Sequence, residues 1–180
     1  MVIDNLKIYD EIWDWIYKTL DFCPNVDRGH DFSNGFPFRI PFVHIVYGID
    51  QMKEVHLDRM EKLIQKVLLK VTKKGQRLFA LDWQHSGFLY DPRKMRYEQE
   101  NTWVKDEIHP KGGYHASFPA FYPDGDYFFF IDENLKFGYL SHPWRKEVWI
   151  FGDALVKEFE KIYPFLGWYK LYACYYSNEK

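Results

Sequence analysis

Three short clusters of the chain combine ionisable side chains with turn residues. They span residues 81–85, 122–127 and 141–145, and each lies at a predicted hairpin or strand end. If these ends meet in space, they bring together imidazole, carboxylate and guanidinium groups, namely those of Asp82, His85, Asp126, His142 and Arg145. Such a set would let a histidine serve as a general base or ligand while a carboxylate orients it. The aromatic side chains that could contact a ligand or partner there are Trp83, Tyr127 and Trp144.

A structural interpretation of the same clusters needs no ligand. Asp82 and Asp126 would accept hydrogen bonds from turn amides, His142 would stack beside Pro143, and Arg145 would form a salt bridge at the surface. Aspartate is common in turns for local hydrogen-bonding reasons alone, which favours this interpretation. The functional interpretation stays open, because the sequence does not determine the strand order.

Other signatures of catalysis are missing from the sequence. The seven histidines include no His-x-x-x-His pair, and two cysteines, Cys23 and Cys174, are too few for a thiolate zinc site or a disulfide framework. We interpret the cysteines as reduced thiols. There is also no Gly-x-Ser-x-Gly elbow, no phosphate-binding loop and no dinucleotide fingerprint. We therefore expect no metal and no cofactor.

Composition places the chain among globular proteins. Its 180 residues suit one domain over 1–180, and 47% hydrophobic with 28% charged residues argues against disorder. The net charge of −2 makes nucleic acid and anionic membranes poor partners. Residues 1–9 lack a leader pattern, and the longest apolar run, 127–131, is too short to span a bilayer, so we expect a cytoplasmic protein. Aromatic residues make up 21% of the chain, enough to fill a core, line a pocket or form an interface.

Apolar residues at helical spacing predict three amphipathic helices. The first covers 8–20. The second is capped by Asp50 and carries an apolar stripe from Met52 to Val71, and the third is capped by Asp153 and ends before Pro164. These helices alternate with predicted strands that would form a sheet beside them.

Runs of β-branched and aromatic residues predict the strands. They lie at 42–49, 77–83, 114–122, 126–131, 137–141 and 147–151, with a short strand near 102–103 and an aromatic tail strand within 168–176. Asp124 and Gly125 suggest a tight hairpin between the strands at 114–122 and 126–131. The apolar run 127–131 does not alternate, which indicates a central strand covered on both faces. The element order predicts an α+β fold: a mainly antiparallel sheet of about five to seven strands with three helices packed against it.

The chain resembles a bacterial family of uncharacterised proteins known as domain of unknown function 2716. The residues that carry this resemblance are 81–85, the hairpin at 123–127, and 142–144 followed by 148–152. The likeness runs from about residue 8 to 163, with 42–49 placed like the early strand of the family, while the tail at 168–180 lies outside the pattern. The resemblance implies bacterial origin and a small cytoplasmic domain, and it brings no catalytic residues with it.

Two functions from different classes fit these observations. The first is a protein-binding module resembling an immunity protein that neutralises a toxin, favoured by the near-neutral charge and the excess of Tyr and Trp. The second is a small-molecule-binding protein or enzyme with an aromatic-walled pocket and a site of His, Asp and Arg side chains. We lean towards the binding module, and hence away from an enzyme, because ionisable clusters without a known motif are weak support for catalysis. The sequence does not predict the oligomeric state.

Overall fold

The computed structural model describes residues 2–3, 5–24, 37–83, 85–94, 102–105 and 112–175. Among these residues, nine strands are formed. They are β1 (His44–Gly48), β2 (Leu78–Asp82), β3 (Gly87–Tyr90), β4 (Thr102–Lys105), β5 (Gly113–Ala116), β6 (Phe128–Asp132), β7 (Gly138–His142), β8 (Glu147–Phe151) and β9 (Tyr169–Cys174).

Seven of these strands build one open sheet in the order β3-β2-β6-β7-β8-β1-β9, and every neighbouring pair is antiparallel. Strands β6, β7 and β8 follow one another through short turns. Strand β1, from much earlier in the chain, lies between β8 and β9. Strands β4 and β5 pair separately as a two-stranded sheet. The predicted antiparallel α+β fold is therefore confirmed.

The described part of the chain contains three α-helices, α1 (Leu6–Thr19), α2 (Leu57–Val71) and α3 (Asp153–Ile162), and 3-10 turns at Glu54–His56 and Tyr163–Leu166. The Asn5 side chain caps α1 by accepting hydrogen bonds from the amides of Lys7 and Ile8 at 3.0 and 3.4 Å. Helix α1 covers one face of the sheet, and α2 and α3 cover the other. None of these helices is long and apolar enough to cross a membrane.

The central strands are buried on both faces. All five residues of each of β6, β7 and β8 are buried, and consecutive side chains enter opposite cores. In β6, Phe130 packs in the core beneath α2 and α3, whereas Phe129 and Ile131 pack beneath α1. The prediction of a strand covered on both faces is confirmed, because a sheet between two helical layers leaves its central strands no polar side.

Several predicted boundaries were wrong. Helix α2 begins at Leu57 rather than near Met52, and Asp50 accepts a hydrogen bond from the Tyr169 hydroxyl instead of capping the helix. The predicted cap Asp153 is the first residue of α3, and the preceding Gly152 begins the helix with φ near +90°. The apolar stripe of the third helix is confirmed. The stripe of the second helix was extended too far, because Met52 and Val55 precede α2 and Val55 is 78% exposed.

The predicted hairpin around Gly125 does not form. The strand expected at 114–122 ends at Ala116 and pairs with β4, while β6 pairs with β2 and β7. The polar stretch 86–111, whose sequence predicts irregular structure apart from a short strand near 102–103, contains β4 at that strand. It also contains β3, which pairs with β2 through a tight turn. The tail strand is confirmed as β9, and it lies at one edge of the large sheet. Proline, glycine and polar residues predict a loop over 21–41, and part of this stretch lies outside the described residues.

Candidate functional site

The three sequence clusters meet around the side chain of Tyr127, which immediately precedes β6. Its ring lies 5.5 Å from the Trp83 ring, 5.1 Å from the Trp144 ring and 4.8 Å from the imidazole of His142, measured between centroids. These three neighbours come from the turn after β2 and from the β7–β8 connection. Because β2 and β7 flank β6 on either side, their adjoining turns reach the same end of the sheet.

Asp82, His85 and Asp126 form a compact group, hereafter the polar triad. Asp82 ends β2, His85 lies in the turn that leads to β3, and Asp126 stands two residues before β6. His85 Nδ1 is 3.2 Å from Asp82 Oδ1 and 3.2 Å from Asp126 Oδ2. The antiparallel pairing of β2 with β6, in which Asp82 lies opposite Phe128, brings both carboxylates to the same imidazole nitrogen.

The backbone around the polar triad is tied down on several sides. The Asp82 amide donates to the Ser86 carbonyl at 2.9 Å, and the His85 amide donates to the Asp82 carbonyl at 3.1 Å. From α1, the Tyr9 hydroxyl donates to the His85 carbonyl at 3.0 Å. Asp126 Oδ1 accepts from the amide of the next residue at 2.7 Å, which directs Oδ2 towards the imidazole. The backbone that carries these side chains, and the carboxylate of Asp126, are therefore held in place before any ligand arrives.

Burial and neighbouring charges shift the protonation of the polar triad. Desolvation raises the pKa of Asp82 to about 6, with Asp126 and Asp124 adding repulsion and His85 opposing the rise. Burial alone would lower the pKa of His85, but the adjacent Asp82 and the charge of Asp126 outweigh it, so the pKa of His85 is raised. Such a group can exchange protons near neutral pH or hold a cation between its carboxylates.

His142 and Arg145 lie in a separate environment. Both side chains are fully buried in and beside the β7–β8 turn, so the interpretation of Arg145 as a surface salt bridge is wrong. Arg145 Nε lies 3.1 Å from Glu147 Oε2, which also accepts a hydrogen bond from Trp149 Nε1 at 3.2 Å. His142 Nδ1 accepts from the Arg145 amide at 3.3 Å. The structure thus brings three of the five predicted polar residues together at the surface and places two in the interior.

Aromatic side chains lie beside the polar triad at the surface. Trp144 is 44% exposed and Tyr17, on α1, is 42% exposed. Trp83 is half-buried and donates from its indole Nε1 to the Tyr17 hydroxyl at 2.9 Å. We call Tyr17, Trp83 and Trp144 the aromatic corner. Tyr127, predicted as a contact residue, is buried beneath it and supports the exposed rings.

Sequence reasoning missed three residues of this region. The sequence predicts Glu147 only as the start of a strand, whereas in the structure its buried carboxylate pairs with Arg145. Tyr9 and Tyr17 were read only as members of a helix, yet their hydroxyls reach the His85 carbonyl and the Trp83 indole. The sequence feature that could have indicated this pair is the separation of Arg145 and Glu147 by two residues at a predicted turn.

Comparison of the sequence with known proteins finds a family and a relative, neither of which is described by an activity. Residues 5–156 match the model of a family described as "Protein of unknown function (DUF2716)". The chain is 27% identical over 162 residues to the "Uncharacterized protein YxiI" of Bacillus subtilis (strain 168), an alignment that covers 87% of this chain and 90% of that protein. No solved structure matches the chain.

Proposed function

The chain belongs to the DUF2716 family, whose description names no activity, and from its surface we propose that it is a protein-binding module that engages its partner through the aromatic corner. The observation that carries this proposal is the exposure of Tyr17 and Trp144 at the two ends of one chain of contacts. The Tyr17 hydroxyl accepts from the Trp83 indole, and the rings of Trp83 and Trp144 both pack against Tyr127. Tryptophan and tyrosine are the residues most enriched among those that dominate binding energy at protein interfaces. A module of this type would act by occupying its partner, as an immunity protein does with a toxin.

Trp144 stands on a rigid base. Its neighbours Pro143 and Arg145 are buried, and the turn is fastened by the Ile49 amide, which donates to the Lys146 carbonyl at 2.8 Å. The indole also packs edge-on against Tyr127. A side chain held in this way loses little conformational entropy when a partner covers it, which is the property expected of an interface anchor.

The charges beside the aromatic corner indicate the kind of partner. Asp82 and Asp126 of the polar triad lie next to the rings, and Asp124 is exposed nearby. Within the polar triad, the imidazole of His85 is the group that can carry a compensating positive charge. A partner that presents lysine or arginine around an apolar centre would complement this surface, and opposite charge would also accelerate its association.

The test is affinity capture with matched variants. Immobilised wild-type protein, Trp144→Ala and Phe165→Ala would be incubated with extract of the organism that encodes the chain. Phe165 is the control because it is 62% exposed in the 3-10 turn that follows α3, whose neighbouring residues pack in the core on the other side of the sheet. We expect a partner retained by wild type and Phe165→Ala, and weakened at least tenfold by Trp144→Ala. Equal retention by all three proteins would refute the proposed surface.

A second candidate function is binding of a small molecule at the polar triad. It is favoured by the convergence of Asp82, His85 and Asp126, which the sequence hypothesis required, although the buried His142 and Arg145 are not available to a ligand. A thermal-shift screen of sugars and nucleotides tests it. A compound that stabilises wild type but not His85→Ala would support this function, whereas a compound that acts equally on both would not bind at the triad.

A further inference from the structure

We propose that the polar triad is a binding site for a first-row divalent cation of the Mn²⁺ or Zn²⁺ class, with Asp82, His85 and Asp126 as its protein ligands. One donor atom from each residue lies within 4.8 Å of the other two. Cation binding is measured on the purified chain alone, so its test is separate from that of the protein-binding proposal. A bound ion would, however, reduce the negative charge that Asp82 and Asp126 present to a partner.

The spacing of the donor atoms suits a shared ion. Metal–ligand bonds to histidine nitrogen and carboxylate oxygen are about 2.0–2.2 Å, so two donors on one ion lie roughly 3 to 3.5 Å apart. His85 Nδ1 is 3.2 Å from an oxygen of each aspartate. Small side-chain rotations would therefore let all three donors reach one ion, with no movement of β2 or β6.

One donor atom is buried beside the imidazole. Asp82 Oδ1 is removed from solvent and lies 3.2 Å from His85 Nδ1. Burying a carboxylate carries a desolvation cost, which a coordinated cation would offset. The other aspartate is already oriented, since one of its oxygens is held by the Tyr127 amide. That arrangement resembles the outer hydrogen bonds that position metal ligands.

The donor set and its exposure indicate the class of ion and its coordination. Carboxylates suit Mn²⁺, and imidazole suits Zn²⁺ and its neighbours, so a mixed set with two negative charges favours this class over a soft monovalent metal. The side chain of His85 is 61% exposed, compared with 15% for Asp82 and 23% for Asp126, so the site is open on the histidine side. Water or a solute would complete the coordination there.

The experiment uses Mn²⁺ as the probe, because it binds thiols weakly and so avoids Cys23 and Cys174. Protein treated with chelator and then desalted would be titrated with MnCl₂ while the electron paramagnetic resonance signal of the free ion is recorded. Calorimetry with ZnCl₂ would provide a second measurement. We expect one Mn²⁺ per chain, with affinity reduced at least tenfold in His85→Ala and in Asp126→Asn.

Two control variants separate coordination from general charge. Asp124→Asn removes a nearby negative charge that influences Asp82 but contributes no ligand, and His56→Ala removes an exposed histidine from the 3-10 turn before α2. Both variants should bind one Mn²⁺ per chain with an affinity within about threefold of wild type, because solvent and salt screen the charge that each variant removes. Circular dichroism would show that each variant is folded. The absence of saturable binding of either ion, or undiminished binding to Asp126→Asn, would overturn the proposal.

Discussion

At the residue scale, Arg145 forms an ion pair with Glu147 inside the protein, although its sequence context made it a candidate site residue. Both side chains are completely buried, and Glu147 is shared between Arg145 and the Trp149 indole. A buried ion pair contributes little net stability over apolar residues, but removing one partner strands the other charge. The pair therefore makes the β7–β8 turn intolerant of single substitutions, and that turn carries Trp144.

We predict that Arg145→Met lowers the free energy of unfolding by about 3–5 kcal/mol, since it leaves the Glu147 carboxylate buried without its cation. Urea denaturation of the wild type and the variant measures the change. The double variant Arg145→Met with Glu147→Gln should lose less than the single one, because the stranded charge is gone. A single variant within about 1 kcal/mol of wild type would show that the pair does not stabilise the turn.

At the element scale, close packing between neighbouring strands determines which residues are permitted. Gly138 begins β7 and lies opposite Phe151 of β8 and Ile131 of β6. A Cβ at this position would overlap the Phe151 ring, which is fully buried and packs against the rings of Trp15 and Phe42. The φ angle of Gly138 is not positive, so its backbone conformation does not require glycine. The contact with the neighbouring strand does.

We predict that Gly138→Ala destabilises the protein by about 1–3 kcal/mol through overpacking. Gly125→Ala is the matched control, because no atom lies within 4 Å of the Cβ it would add and its φ angle is also not positive. Thermal and urea unfolding of both variants compare the two sites. Equal effects at the two glycines would mean that backbone entropy, and not the Phe151 contact, determines the cost.

At the scale of the whole molecule, two helical layers enclose one sheet, and polar contacts join the helices within a layer. Lys70 near the end of α2 lies 3.0 Å from the Glu158 carboxylate of α3, which Lys161 also contacts. Hydrogen bonds from Lys161 and then Lys70 hold the pKa of Glu158 below its usual 4.5. A depressed carboxyl pKa stabilises the fold above the unfolded value, and this contribution is lost as the pH falls through the folded value.

We predict that Glu158→Gln lowers the unfolding free energy at pH 7 by less than about 1 kcal/mol, because both lysines are largely exposed. The difference from wild type should shrink as the pH falls below 4.5, because Glu158 takes up a proton in the folded state as the pH passes through its lowered pKa. Glu11→Gln is the control, since its pair with Lys7 is long and exposed at 3.8 Å. Denaturation curves recorded from pH 7 downwards test this, and a pH-independent difference would contradict it.

The family match covers most of the large sheet but not its last strand. The matched region stops at residue 156, within α3, so β9 lies beyond it. In the structure β9 nevertheless completes the large sheet by pairing with β1. The aromatic tail is thus an integral strand of this protein, as its composition predicted.

The sequence by itself determined the elements whose signals are local. Helical stripes identified α1, α2 and α3, and the apolar run at 127–131 identified a strand with two buried faces. Together with the order of these elements they predicted the α+β class. Periodicity is visible along the chain because each side chain's direction follows from its position within one helix or strand.

Only the tertiary structure decided where the polar clusters lie and what they contact. Asp82 and Arg145 both occupy turn regions rich in polar residues, yet one lies in an exposed triad and the other is enclosed with Glu147. Likewise, the spacing rules that predicted no metal compare residues close in sequence, whereas Asp126 reaches His85 only through the pairing of β6 with β2. Strand order and the helices on each face determine how deeply these groups are buried. Burial removes water from a charged group, and this decides whether it pairs inside the protein or is accessible to a ligand.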